Sequence, residues 1–220
     1  MLTTRRRTAV AGLLAALAVS VTGCSSDSGN SSANDKIKGA DSSESASVSP
    51  SASASADKNA PGFDFPSDIT VTVDRKATGD GVKDAVLRDL AYSAQARLEA
   101  FAKGNGQTAN LNRYFAGYAR TYWINRVAEL KKEGLTVTGH YRYFDFEVTD
   151  IANGKTAAAR YCEDQSKAYG KVIKTQKVQV TKPSDKDFIL NTFQVAKDSA
   201  GDWQVTQESW KKGDASCVQG

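Results

Sequence analysis

From residue 61 onward the chain alternates apolar and polar positions in two distinct periods. Phe63 and Phe65 lead into Ile69, Val71 and Val73, which alternate with Thr70, Thr72 and Asp74; this two-residue period predicts a short, half-buried edge strand. After Gly79 the period lengthens. Val82, Val86, Leu90, Ala94, Leu98 and Phe101 recur at three- and four-residue steps, predicting an amphipathic helix capped by Asp80 and ended by Lys103 and Gly104. A Gly/Asn/Thr turn follows. A second helix is predicted from about Asn110 to Glu133, with Leu111, Phe115, Tyr118 and Tyr122 on one side, Ala119, Trp123, Val127 and Leu130 beside them, and Gly134 as its cap.

From Leu135 the period returns to two, and the pattern predicts no further helix. Leu135 and Val137 share one parity while Phe144, Phe146 and Val148 hold the other, so a bulge is expected between Gly139 and Tyr143. Asn153-Gly154 is a hairpin signal leading into a strand over Thr156–Asp164. Further strands are expected over Ile173–Val180, Phe188–Ala196 and, after the Gly201-Asp202 turn, Trp203–Trp210. Helices first and a meander afterwards make an α+β domain, in which N-terminal helices pack against a curved, cone-like antiparallel sheet of four to six strands.

The first 60 residues follow neither period. Arg5, Arg6 and Arg7 precede an apolar run from Ala9 to Val21, the layout of a secretory signal, and the run is too short to span a bilayer comfortably. Ser25 to Ala60 holds 13 serines in 36 residues, with Ile37 and Val48 as its large aliphatics, and all 19 aromatic residues of the chain lie later. Such a composition cannot offset the entropy of ordering and predicts a disordered tether. The domain boundaries are therefore 1–23 for the signal, 24–60 for the tether and 61–220 for the folded unit. A multidomain enzyme is excluded by length. The charge balance, 29 basic against 25 acidic residues with three of the bases in the leader, gives no reason to expect nucleic acid as a partner.

Val21-Thr22-Gly23-Cys24 resembles the bacterial lipobox. That resemblance implies a diacylated Cys24 as the first mature residue, and a protein held by its diacylglycerol on the extracytoplasmic face of the cell membrane, since two acyl chains anchor durably where one does not. General secretion in the unfolded state is the expected export route, because Thr8-Ala9 stands where a twin-arginine signal would have Phe-Leu. The Ser-Ala alternation over Ser45–Ala56 could also accept O-linked sugar.

The element order resembles the nuclear-transport-factor-2-like superfamily of cone-shaped α+β domains, which includes SnoaL-like cyclases and ketosteroid isomerase. Phe65-Pro66-Ser67-Asp68, Asp84-Ala85-Val86-Leu87-Arg88-Asp89, Tyr161-Cys162-Glu163-Asp164-Gln165-Ser166, Trp203-Gln204-Val205 and the late Cys217 resemble small secreted lipoproteins of actinobacteria. These motifs concern fold and imply no activity.

With Cys24 lipidated, Cys162 and Cys217 remain as a pair, and an exported domain favours their joining in a disulfide. The rivals, a metal site or a redox pair, lack C-x-x-C or His-rich spacing. The single histidine, His140, lies near Tyr143 and Asp145, so His140 with Asp145 or Tyr143 is the catalytic candidate for a general base in a cone. The competing reading puts His140 on a solvated strand face. No catalytic residue, cofactor or metal is assigned, because the chain has no second histidine, no G-x-S-x-G and no Gly-rich phosphate loop.

Lys167, Lys171, Lys174, Lys177 and Lys182 form a run with no acid between Asp164 and Asp185. The run suits either an edge strand protected by lysine or contact with acidic headgroups or anionic wall polymer. Tyr114, Phe115, Tyr118, Tyr122 and Trp123 suit a core or the wall of an apolar pocket. The functional expectation is a binding or interaction module of the cell envelope, with an envelope protein, an anionic wall polymer or a small apolar ligand as partner. The alternative is a small-molecule isomerase, dehydratase or cyclase using the cone.

Overall fold

A computed structural model describes residues 59–219; the signal 1–23, Cys24 and nearly all of the tether lie outside the described residues. The elements run β1 (Ile69–Val73), α1 (Gly81–Lys103), α2 (Ala109–Tyr114), α3 (Gly117–Lys132), β2 (Leu135–Ala152), β3 (Thr156–Val172), β4 (Val178–Gln179), β5 (Phe188–Lys197), β6 (Trp203–Lys212) and α4 (Ala215–Val218). A 3-10 turn at Asp185–Asp187 precedes β5. The sheet order is β1-β2-β3-β5-β6, with β4 beside the C-terminal half of β3. The α+β expectation holds, with one refinement. β1 is the edge strand foreseen, but it pairs parallel to β2, so the curved sheet is mixed.

Local chemistry accounts for the first helix. Asp80 accepts from the backbone N–H groups of Val82 and Lys83 at 2.8 and 3.1 Å, and Gly104 closes the helix with φ 57°. α1 then buries Val86, Leu90, Ala94 and Leu98 in the main core, while Val82 stays exposed.

The single helix expected from Asn110 to Glu133 is two. Phe115 is extended and forms a parallel bridge to Val205 of β6, and the Ala116 N–H donates to the Val205 carbonyl at 2.9 Å. The backbone of β6 thus takes over hydrogen bonds that helix continuation would have used, and Gly117 restarts the helix at φ 54°. Leu111, Tyr114 and Phe115 are buried, whereas Tyr118, expected on the same side, is exposed.

The irregularity between His140 and Arg142 falls where a bulge was expected, but its extra residue is in β3, which covers Lys167 to Asp164 there, so β2 keeps one parity from Val137 to Tyr143. The expected switch comes later, between Phe144 and Glu147, where the extra residue is in β2 and Asp145 adopts φ 51°. Alternation and the Asp145 bulge together divide the aromatic residues between faces. Tyr141, Tyr143 and Phe146 join the main core, while Phe144 turns to a small cluster with Cys162, Cys217, Phe188 and Leu190. Gly139 sits at φ 100° where β2 crosses β3 so closely that a β-carbon would come within 2.2 Å of the Lys167 carbonyl oxygen. Only glycine fits there.

Three further expectations needed correction. β3 continues past Asp164 to Val172, because its outer half finds partners in β2 and β4. Ile173–Val180 is an exposed turn followed by the two-residue β4, rather than a full strand. A helix does follow Leu135: α4, capped by Asp214, carries Cys217 under the sheet. The Cys162–Cys217 disulfide is present, with the two Cα atoms 5.4 Å apart, and ties the C-terminus to β3. No helix among the described residues is long and apolar enough to cross a membrane.

Candidate functional site

Strand register alone predicts what faces the helices, because directly paired residues of neighbouring strands share a face. Tyr143 pairs with Glu163, Glu163 with Ile189, and Ile189 with Lys212, so four strands contribute one row. The next inward row holds Tyr161, Asn191 and Trp210, and the one beyond it Ala159, Phe193 and Glu208. Two carboxylates therefore stand on the inner face of the sheet, and an ordinary apolar core would not tolerate them unpaired.

α1 supplies the partner. Arg97 lies one turn before Phe101 and three residues after Ala94, on the apolar stripe of the helix. Its guanidinium donates to Glu163 Oε2 and to Glu208 Oε1, both at 2.7 Å, and to the Tyr161 hydroxyl at 3.2 Å. The remaining carboxylate oxygens are also occupied. Trp123 Nε1 donates to Glu208 Oε2 and Gln165 Nε2 to Glu163 Oε1, each at 2.7 Å. Arg97 lies 4.8 Å from the centroid of the Trp123 ring, which stacks a π-face on the cation. The three charged side chains are all more than nine-tenths buried.

Electrostatics follow from this burial. Burial alone would lower the Arg97 pKa, but Tyr161, Glu163 and Glu208 around it outweigh that and hold the guanidinium firmly protonated. Burial raises the Glu208 carboxyl above the ordinary range, with Arg97 and Trp123 opposing the shift. It likewise raises the Tyr141, Tyr143 and Tyr161 hydroxyls, so all three are neutral at physiological pH.

Above this triad the helices and sheet leave a cleft of about 290 Å³. Leu98, Phe101, Leu130, Val137 and Ile189 give it apolar walls, Tyr122, Trp123 and Trp210 an aromatic side, and Arg126 and Lys212 add positive charge. Tyr141 and Tyr143 line it with hydroxyls that have no hydrogen-bond partner among the described residues. Trp210 is half exposed at 46% and in ring contact with both Tyr122 and Trp123.

The residues singled out from sequence do not converge. Tyr143 lines the cleft, but His140 is absent from its lining and shares a 2.9 Å hydrogen bond with the Thr72 hydroxyl. Asp145 is exposed at its bulge, beside a separate surface depression. The general base pairing of His140 with Asp145 or Tyr143 is therefore not assembled, because strand alternation puts His140 on the face opposite Tyr143 and the bulge at Asp145 leaves that residue exposed. Of the aromatic series, Tyr122 and Trp123 reach the cleft, Tyr114 and Phe115 are core, and Tyr118 points to solvent. Arg97, Glu163 and Glu208 were missed. The signals were a lone arginine inside the apolar stripe of α1 and, on β3, the alternation Ala157, Ala159, Tyr161, Glu163. Glu208 carried no local signal, since a bulge between Val205 and Gln207 switches its parity inward. Among the described residues no group of three His, Cys, Asp or Glu could hold a metal ion.

The sequence matches no known protein-family profile and no curated protein. Solved structures do resemble it. They include the intermembrane-space region of the chloroplast protein ARC6, at 17% identity and TM-score 0.40, covering 56% of this chain and 92% of that one. A ketosteroid isomerase-like protein from Erwinia carotovora atroseptica aligns at 18% identity and TM-score 0.38, covering 58% and 96%. A domain with a cystatin-like fold from Nostoc punctiforme aligns at 14% identity and TM-score 0.34, covering 62% and 79%. Likeness of this degree says nothing about activity; the architecture stands on the pairing and packing above.

Proposed function

We propose that the protein is a lipoprotein anchored through diacylglycerol on Cys24 to the extracytoplasmic face of the cell membrane, and that its cleft binds a small, largely apolar ligand. The observation that carries the binding role is the cleft of about 290 Å³, whose walls are apolar and aromatic and whose deep charges are spent on one another. A ligand entering it gains apolar burial without having to displace a hydrated ion. The free hydroxyls of Tyr141 and Tyr143 offer donors to a single polar group on the ligand. The anchor is supported by the basic leader, the apolar run and Val21-Thr22-Gly23-Cys24, and the buried disulfide suits an oxidising compartment.

Binding is favoured over isomerase, dehydratase or cyclase chemistry because all four oxygens of Glu163 and Glu208 already accept a hydrogen bond, while His140 and Asp145 lie outside the cleft. Two of the three tryptophans, Trp123 and Trp210, line the cleft and report on it directly. Titration with an uncharged naphthylamine dye is expected to quench their emission saturably, at one dye per chain. Ile189→Trp, which fills the cleft, abolishes the saturable part. Quenching that is linear, or identical in Ile189→Trp, contradicts a binding cleft.

A further inference from the structure

The turn between β3 and β4 has a composition that neither the core nor the cleft uses. Of the six large apolar side chains exposed in the described residues, three fall within eight consecutive positions: Ile173, Val178 and Val180, exposed by 41%, 37% and 71%. Lys174 and Lys177 lie between them and Lys182 just after, all exposed, and the segment from Ile173 to Lys182 contains no acid. The turn is held in place. Val172 donates to the Lys177 carbonyl at 2.9 Å, and Ile173 donates to the Gly134 carbonyl at 2.8 Å.

That last bond sets the turn beside the C-terminal end of α3, where Lys131 and Lys132 are also exposed. Five exposed lysines thus gather at one end of the domain. The acids nearest them in the chain are Glu133, Glu129, which pairs with Arg126, and Asp185, three residues after Lys182; Asp68, from the other edge, is bound by Lys171 at 2.6 Å.

Protection of a sheet edge accounts for lysines but not for exposed aliphatics among them; an apolar edge invites the pairing that lysine is there to prevent. Apolar side chains among a clear excess of lysine, five against Glu133, are what an interfacial surface requires: aliphatic groups enter the acyl boundary while ammonium groups meet phosphates. A soluble wall polymer would use the lysines and leave Val180 without a role. We propose that the β3–β4 turn, Ile173 to Lys182, with Lys131 and Lys132 beside it, is a docking surface for an anionic lipid bilayer. The surface is separate from the cleft and independent of the Cys24 anchor. It sets which end of the domain faces the membrane.

Hydrogen exchange on the full chain tests this, with vesicles of phosphatidylcholine alone or mixed in equal parts with phosphatidylglycerol, and sedimentation to confirm that the chain is on the vesicles in both cases. On the anionic vesicles, amides of residues 173–180 are expected to slow by about tenfold or more, while amides of α1 do not change. On phosphatidylcholine they stay fast. Neutralising K174Q, K177Q and K182Q together weakens the contact about a hundredfold, at about fivefold per lysine, and removes the protection. I173S with V180S also removes it and leaves α1 exchange intact. No protection on anionic vesicles, or equal protection on phosphatidylcholine, overturns the proposal. So does equal protection by soluble polyphosphate that survives V180S, which would assign the surface to an anionic polymer. Failure of the chain to sediment with either vesicle would count against the anchor; the turn's exchange with added vesicles would still decide the docking surface.

Discussion

Replacing Arg97 by methionine leaves two carboxylates on the inner face of the sheet without their cation. Glu163 and Glu208 are each 4% exposed as side chains, and each loses a 2.7 Å charge-assisted bond. Breaking a buried pair by removing one partner costs about 3 to 5 kcal/mol, most of it the penalty of the charge left behind. We take about 4 kcal/mol, which the domain survives if its stability is roughly 5–15 kcal/mol. With a urea m-value of roughly 2 kcal/mol/M, the midpoint falls by about 2 M.

The loss should depend on pH with a definite sign. Burial already raises Glu208, and Arg97 and Trp123 oppose the shift; without Arg97 the folded-state value rises further. A carboxyl raised on folding contributes its stability below its unfolded value of about 4.5 and loses it as pH rises through the folded value. The deficit of Arg97→Met is therefore smaller at about pH 5 than at about pH 8. The triple variant with Glu163→Gln and Glu208→Gln recovers much of the loss at pH 8, since no charge then remains buried. Urea melts of the parent and both variants at the two pH values supply the numbers. A deficit below about 1 kcal/mol that is the same at both pH values would refute the buried-triad argument.

Three other outcomes follow from the fold. Cys217→Ser opens a loop with a sequence separation of 55 and should cost about 4 kcal/mol in the chain-entropy model, read as a urea midpoint that no longer responds to reductant. Gly139→Ala forces a β-carbon to 2.2 Å from the Lys167 carbonyl at a positive φ and should cost about 3 kcal/mol, whereas Gly154→Ala, at φ 60° but with open space around it, carries the backbone strain alone and should cost about 1 kcal/mol in the same melt. The Arg113–Asp202 pair, with bonds of 2.7 and 3.0 Å, holds the Asp202 carboxyl below the usual range; its contribution is present above the unfolded value of 3.8 and is lost as pH falls through the folded one. Asp202→Asn should accordingly be less stable than the parent at neutral pH and converge with it in an acid titration followed by circular dichroism.

What was legible beforehand was local. α1 could be read to within a residue because Asp80 and Gly104 are chemical stops, and the disulfide followed from cysteine arithmetic. The break between α2 and α3 was not legible, because its cause is the β6 backbone some 90 residues away in sequence, binding Ala116. The site suffered likewise. Glu163 follows the inward alternation of β3, but Glu208 faces inward only through a bulge that leaves no mark in composition. His140 drew attention as a residue type, yet plain alternation along β2 puts it opposite Tyr141 and Tyr143, toward Thr72 instead of the cleft.

Native mass spectrometry of the protein drawn from its own membrane bears most directly on the binding account. The account predicts a chain beginning at an acylated Cys24 that carries one small non-covalent molecule, with that extra mass missing from Ile189→Trp. A chain carrying no bound molecule, or one whose extra mass persists when the cleft is filled, would contradict it.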